Sequence, residues 1–489
     1  MRLANSTLAQ LKADIASPRY DRATIRPGIV HLGTGAFHRA HQAVAIDDCL
    51  ARGERDWAIL GSSLRGTQTR DALAPQDGLY TLAIRDSGRE ELRVIGSVLG
   101  VTVAPENPAL LLDQLADPAI RVVTLTITEK GYAVDLGSGG LRQDHPDIIH
   151  DITNPQAPRS ALGFLVEAIA RRRRDGRRPF TVLSCDNLPQ NGRTLKRVLT
   201  EFAALRDKDL AAYIADEIPC PSSMVDRIVP ATTDADRAAI SSSLGLEDAW
   251  PVLGEPFSQW VIEDRFAAGR PRLEESGVEF TDDVEPFEHM KLRLLNGTHS
   301  TIAAVGRLAG HDFVAQAIAD PTIRDLIEHY WQCAIPTLSI PSDRAFAYTR
   351  QLLGRYENTS LHHRTAQIAS DASQKLPQRI LSPLRDCLAK GLPCGPLVFA
   401  VAAWIRSCGG SDDKGRPLPL NDPTFEAWTG QPDQHGASPQ AVVEAFLGLS
   451  AVFGDDLPRN AAFVHDLQAA YRAIAAQGVL GAAQSWRQK

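Results

Sequence analysis

No stretch of this 489-residue chain approaches the roughly 20 consecutive apolar residues that a membrane-crossing helix needs, which argues against an integral membrane protein. Residues 1–17 alternate polar and apolar side chains without an apolar core, unlike a secretory signal. The seven cysteines lie far apart, are odd in number and include no Cys-x-x-Cys pair. That usage argues against a disulfide framework or a zinc site and for a reducing compartment. Basic clustering is confined to Arg171-Arg172-Arg173-Arg174 with Arg177 and Arg178, at the end of a helical pattern. A helix dipole favours cations there, so the run reads as a solvated cap and not as a nucleic-acid surface. Internal repeats and low-complexity tracts are absent. What remains is a cytoplasmic globular protein of two or three domains, with neither nucleic acid nor membrane as an expected partner. Its 44% hydrophobic and 23% charged residues and net charge of −7 fit that class.

What is present begins with Asn5-Ser6-Thr7, which caps a predicted short helix reaching about Ala16. Ile29–Leu32 is a short apolar run leading into Gly33-Thr34-Gly35 and then a helical pattern, opened by Ala36 and Phe37, through Cys49. These are the parts of a dinucleotide loop, in which glycines allow close backbone approach and a helix start faces the pyrophosphate. His38 stands where the full pattern has a third glycine, so an ordinary strand-to-helix turn stays open on these residues alone. The second strand, Trp57–Gly61, is followed by Ser62, Ser63, Leu64 and Arg65 where an acidic ribose ligand is expected. Arg65 and Arg70 suit a 2′-phosphate, which leaves NAD and NADP both open.

Further strands are predicted at Leu79–Arg85 and Val94–Val103, and helices at Asn107–Leu115 and Ser160–Arg173. The run Arg121–Tyr132 is a buried strand ending in Thr126, Thr128 and Glu129. Ligands of open α/β sheets gather beyond strand C-termini, which makes these three cofactor-cleft candidates. Phe180–Pro189 ends likewise in Asp186 and Asn187, readable as a turn or as a second group at the cleft. Asp226-Arg227 reads as a structural ion pair, and Glu255–Glu263 as a loop entering a strand. From about Pro286 the pattern becomes helix after helix, placing a domain boundary near Asp282: an α/β domain over 1–281 and an α-helical one over 282–489. Cys408–Asp422 reads as a surface loop and Ala461–Trp486 as a closing helix.

The stretch Glu288–Ser300 concentrates chemistry. With Lys291 at zero on a helical wheel, Glu288 falls near ~60°, His299 near ~80° and Asn296 near ~140°, so four polar groups share one face. An amine lowered by burial serves as a general base, an amide holds an alkoxide and an imidazole orients substrate. The competing reading is a wet amphipathic face. Leu292 and Leu295 among the polar positions favour a pocket.

Five motifs in order resemble the polyol-specific long-chain dehydrogenase/reductase family, also called the mannitol dehydrogenase family. They are Gly33-x-Gly35-x-Phe37-His38-Arg39-Ala40-His41, Thr126-x-Thr128-Glu129-x-Gly131-Tyr132, Ser184-Cys185-Asp186-Asn187-Leu188-Pro189, Met224-Val225-Asp226-Arg227 and Lys291-x4-Asn296-Gly297-x-His299. The resemblance runs from Ile29 to about Asp422, and the family itself has His at the third-glycine position. It implies a zinc-independent NAD(P) enzyme with a Rossmann-like N-terminal domain, a mostly helical C-terminal domain and a site between them. By the same match Lys291 is the expected general base, and Asn187 and Asn296 are the oxyanion holders. His299 orients the substrate, Glu288 gates proton exchange and Glu129 assists. Gly33, Gly35, Ala36, Phe37, Thr126, Glu129 and Asp226 fall at cofactor positions. The segment His363–Arg379 is similar to the hexuronate branch, which interconverts D-fructuronate and D-mannonate, and Gln367 stands where mannitol-type members tend to carry Arg. Thr359 and Ala372 depart from the usual Pro and Gly. A polyol dehydrogenase acting on mannitol or arabinitol is the alternative. A hexuronate needs a partner for its carboxylate, and His363, Arg364, Lys375 and Arg379 are the candidates, Lys375 and Arg364 first. Each reads equally as a charge on a wet helix face.

Overall fold

The computed structural model describes residues 1–135, 138–422, 424–425 and 436–486. It resolves into two compact units, Met1–Glu285 and Pro286–Lys489.

The first unit is built on five parallel strands, which are β1 (Pro27–Leu32), β2 (Ala58–Ser63), β5 (Val98–Val103), β6 (Val122–Leu125) and β7 (Thr181–Ser184), in spatial order β5-β2-β1-β6-β7. The order reverses between β1 and β6, the switch point where doubly wound sheets bind ligands. Both sheet faces are covered, so the central strands are mostly apolar, with the buried pair His31 and Thr124 as the polar exception, and alternate residues serve different cores. Val30, Leu32, Val123 and Leu125 pack with Leu162, Phe164 and Leu195 on one face. Ile29 and Val122 pack with Ile46, Leu50 and Trp57 on the other.

The predicted single β segment at Val94–Val103 is two strands in different sheets. The hairpin β3 (Tyr80–Asp86) and β4 (Arg89–Ile95) joins β9 (Val252–Gly254), while β5 returns to the parallel sheet. The break falls at Gly96, where a Cβ would stand 2.6 Å from Pro18 and whose amide donates to Asp47 at 2.9 Å. A third sheet holds β8 (Ser223–Asp226), β10 (Gln259–Glu263) and β11 (Glu279–Thr281). Three local expectations are corrected. The first helix is a 3-10 turn over Asn5–Gln10. The helix after Gly35 is broken at His41 into Ala36–Ala40 and Gln42–Ala51. Arg172, expected in water, is buried and donates to the carbonyls of Leu115, Asp117 and Arg178, closing the end of the Pro108–Ala116 helix.

The second unit is helical. Gly297–Ala309 packs against Gly395–Ser407, and the latter against Ala461–Trp486. The 408–422 loop is anchored more firmly than a surface loop, since Asp412 and Asp422 are buried. Asp422 accepts from the amide and hydroxyl of Ser373 at 2.8 and 2.6 Å. Among the described residues no helix is long and apolar enough to cross a membrane.

Candidate active site

In the first unit the glycine loop is held from below by β6. Register pairs His31 of β1 with Thr124 of β6, so both side chains leave the same face of the sheet. His31 Nδ1 lies 2.7 Å from Thr124 Oγ1, and Nε2 lies 2.9 Å from Thr126 Oγ1 and 3.2 Å from the Gly33 carbonyl. Thr126 Oγ1 donates to the Gly33 carbonyl at 2.8 Å. Burial pushes the His31 imidazole down to about 3, so it is neutral at physiological pH. A carbonyl can only accept, which places the single ring proton on Nε2, toward the loop. Gly33 has φ +96°, and a Cβ there would lie 2.2 Å from the Thr126 carbonyl oxygen. At Gly35 the nearest atom to an added Cβ is the Gly33 carbonyl oxygen at 3.7 Å, so the backbone there is bare.

A cleft of about 810 Å³ opens over this loop, lined among others by Gly33, Thr34, Gly35, Ser63, Arg65, Thr126, Thr128, Lys130 and Arg159. Ala36 and Phe37 follow directly in the Ala36–Ala40 helix, and the Phe37 ring stacks on His41 at 5.1 Å. Arg65 lines the cleft, whereas Arg70 is engaged by Asp71 and Glu106. Glu129 is exposed in a short 3-10 turn, Asp226 is buried at the end of β8, and neither lines the cleft.

The ends of β6 and β7 are joined by Asp186, which accepts from the amides of Ile127 and Thr128 at 2.9 and 3.0 Å and from the Tyr132 hydroxyl at 2.7 Å. Burial raises its pKa, opposed by those same hydrogen bonds. The clasp holds Thr128 at φ 64°, a region costly for a β-branched residue. Asp186 is therefore more than a turn former, and Asn187 is carried exposed just beyond it. Arg227, expected to pair with its neighbour Asp226, donates to the carbonyls of Glu255 at 2.7 Å and Ala40 at 2.6 Å.

In the second unit the 288–300 stretch is helical but not at one pitch. Glu285–Met290 is α, Lys291–Asn296 is π and Gly297–Ala309 is α again. The amide of Gly297 donates to the carbonyl of Leu292, five residues back. The 100°-per-residue wheel therefore fails across the segment, and the angles expected for Asn296 and His299 do not hold. Shifted carbonyls take side-chain donors: Trp331 Nε1 reaches Leu294 at 3.1 Å, and the Tyr356 hydroxyl reaches Leu295 at 3.2 Å. The wet-face reading is excluded, since Lys291 and His299 are 8% and 7% exposed. Asn296 Oδ1 and His299 Nε2 are buried without a hydrogen-bond partner among the described residues. Glu288 is half-buried on the preceding turn.

His299 packs 4.9 Å from the Tyr356 ring and, at right angles, 5.1 Å from His363. Burial holds the His299 pKa well below its ordinary value, and His363, Arg355 and Arg379 add to the effect. His363 is pushed down to about 4 by burial and then by Arg355. Arg379 sits on a second π segment, Pro377–Leu381, that touches the first. Its guanidinium donates to Ser300 Oγ at 3.2 Å. Of the four proposed carboxylate partners, His363 and Arg379 thus adjoin the Lys291–His299 helix. Of the two placed first, Arg364 is exposed with its guanidinium 5.2 Å from the Phe313 ring, and Lys375, on the Ala372–Leu376 helix that touches Gly297–Ala309, donates to the Ser370 carbonyl at 2.5 Å. Sequence reading missed Arg355, although it continues the buried stripe Ala345, Tyr348, Leu352 of its helix at helical spacing.

Residues 27–275 match the family model of the mannitol dehydrogenase Rossmann domain, and residues 283–475 that of the mannitol dehydrogenase C-terminal domain. The chain is 41% identical to D-mannonate oxidoreductase of Escherichia coli over 97% of its length and 98% of that protein. It is 38% identical to mannitol 2-dehydrogenase of Aspergillus fumigatus over 98% of both chains. The solved mannitol 2-dehydrogenase of Pseudomonas fluorescens, in a ternary complex with NAD and D-mannitol, superposes with a TM-score of 0.89 at 36% identity over 100% of both chains. The chain therefore belongs to the mannitol dehydrogenase family and is an oxidoreductase of that family.

Proposed function

We propose that this chain is an NAD(H)-dependent oxidoreductase interconverting D-fructuronate and D-mannonate, with Lys291 as its acid–base group. The observation that carries the substrate is the 41% identity to D-mannonate oxidoreductase across 97% of the chain. A mannitol-type polyol activity is the second reading, favoured by the full-length match to the Pseudomonas fluorescens enzyme.

The glycine loop fits a dinucleotide: its backbone, bare at Gly35 and pinned at the Gly33 carbonyl by Thr126 and His31, offers a cradle for a pyrophosphate. Gly33, Gly35, Ala36, Phe37 and Thr126 are the residues proposed to hold it, whereas Glu129 and Asp226, outside the cleft, rest on the family motif alone. NAD(H), when bound, would supply the hydride in reduction and take it up in oxidation. In oxidation a neutral Lys291 accepts the substrate hydroxyl proton, and in reduction its ammonium returns that proton to the oxygen. Asn296 lends an amide N–H to the alkoxide, a contribution of roughly 10²–10³ in rate for one such donor. Asn187 is the second amide supplied by the family motif. His299, neutral through burial, offers an imidazole edge that orients the substrate. Glu288 is proposed to exchange the lysine's proton with solvent. The test is NADH oxidation by the purified protein with fructuronate, tagaturonate and fructose side by side. Fructuronate should be turned over with the highest kcat/KM, and a preference for fructose would move the polyol reading ahead.

A further inference from the structure

The geometry points to Arg379 and the Nδ1 edge of His363, with Arg355 as a buried third group, as the seat of a substrate carboxylate beside His299. The inference rests on the sugar-acid reading above and deepens it, because it says which residues separate an acid from a polyol.

Two imidazoles meet there at right angles, 5.1 Å apart, and each presents a buried ring nitrogen with no hydrogen-bond partner among the described residues, Nε2 on His299 and Nδ1 on His363. Buried polar atoms are nearly always satisfied in native proteins, so such a pair of edges marks where a ligand is received. The surroundings select the sign of that ligand. Arg379 reaches Ser300, the residue after His299, from the second π segment. Its main chain is fixed by the Tyr330 hydroxyl, which donates to the Arg379 carbonyl at 3.2 Å. Arg355 is 8% exposed and precedes Tyr356, whose ring lies 4.9 Å from His299. Both guanidiniums act on His299, and Arg355 acts on His363 as well, so the field across the two imidazoles is positive. In the tautomers that carry the proton on these two nitrogens both edges donate, so with the positive field they favour an anion, and a planar guanidinium fork matches the two oxygens of a carboxylate. A polyol hydroxyl gains nothing comparable from the charge. Arg364 and Lys375, turned to Phe313 and to the Ser370 carbonyl, are not needed for this seat.

The experiment is calorimetric titration of the enzyme saturated with NADH, which cannot react with either reduced ligand, using D-mannonate and D-mannitol in turn. Wild type should bind D-mannonate more tightly. Arg379→Gln should lower the mannonate-to-mannitol affinity ratio at least tenfold, and His363→Gln should lower it in the same direction. Arg379→Lys, which keeps charge but loses the fork, should fall between. If Arg379→Gln does not fold, His363→Gln and Arg379→Lys carry the test. A ratio within twofold of wild type in folded variants, or a wild type without preference for D-mannonate, would overturn the seat. The two readings fail separately. Fructuronate turnover with an unmoved ratio removes the seat alone, whereas a falling ratio without fructuronate turnover removes the assigned reaction alone.

Discussion

His38 stacks flat on His31, with ring centroids 3.5 Å apart and planes 13° from parallel, beneath the Gly33–Gly35 loop. Both rings are fully buried, and neither nitrogen of His38 has a hydrogen-bond partner among the described residues. Burial holds both imidazoles neutral, His31 at about 3 and His38 well below its ordinary value.

This stack predicts acid lability. In the unfolded chain each histidine titrates near 6.5, so below that pH the unfolded state binds protons that the folded state refuses. Their stabilisation is complete above about pH 6.5 and falls by up to ~1.4 kcal/mol per group for each pH unit below it. The Tm should drop between pH 7.5 and 5.5, and His38→Gln should flatten that slope. An equal slope in wild type and variant would show that His38 protonates freely in the fold.

Gly297→Ala should damage the second unit. An added Cβ would lie 2.3 Å from the Tyr330 hydroxyl and 2.8 Å from the Arg379 carbonyl oxygen, where the two π segments meet. Overpacking of this kind costs about 1–3 kcal/mol. Urea denaturation should show a lower midpoint, and an unchanged midpoint would mean that the π segments separate freely.

Overnight chelation should leave turnover unchanged. Among the described residues no three His, Cys, Asp or Glu side chains gather as a metal site, and amide donors are proposed to carry the alkoxide charge. Activity lost to a chelator and restored by zinc would contradict the lysine–amide mechanism.

Much of the first unit is legible in the sequence, because strands buried on both faces read as short apolar runs and their polar ends mark the cleft. Ile29–Leu32 before Gly33-Thr34-Gly35, and Leu125 before Thr126, are of this kind. The break at Gly96 is not, since it depends on Pro18 and Asp47, distant in the chain. The chemistry at Lys291, Asn296 and His299 is legible in residue type, yet their angular relation is not. A helical wheel assumes one pitch, and here the pitch changes where Trp331 and Tyr356, distant in the chain, take the carbonyls of Leu294 and Leu295. Arg172 misleads because an arginine reads as exposed until its carbonyl partners are known.

The central claim is that Lys291, buried at the first residue of the π segment, carries the proton. Lys291→Ala, assayed for fructuronate reduction and for NADH binding by fluorescence titration, tests it directly. Turnover should fall by at least ~10²-fold, the usual scale for a lost general acid–base, while NADH affinity stays within about twofold of wild type. A variant keeping more than about a tenth of wild-type turnover would show that another group moves the proton.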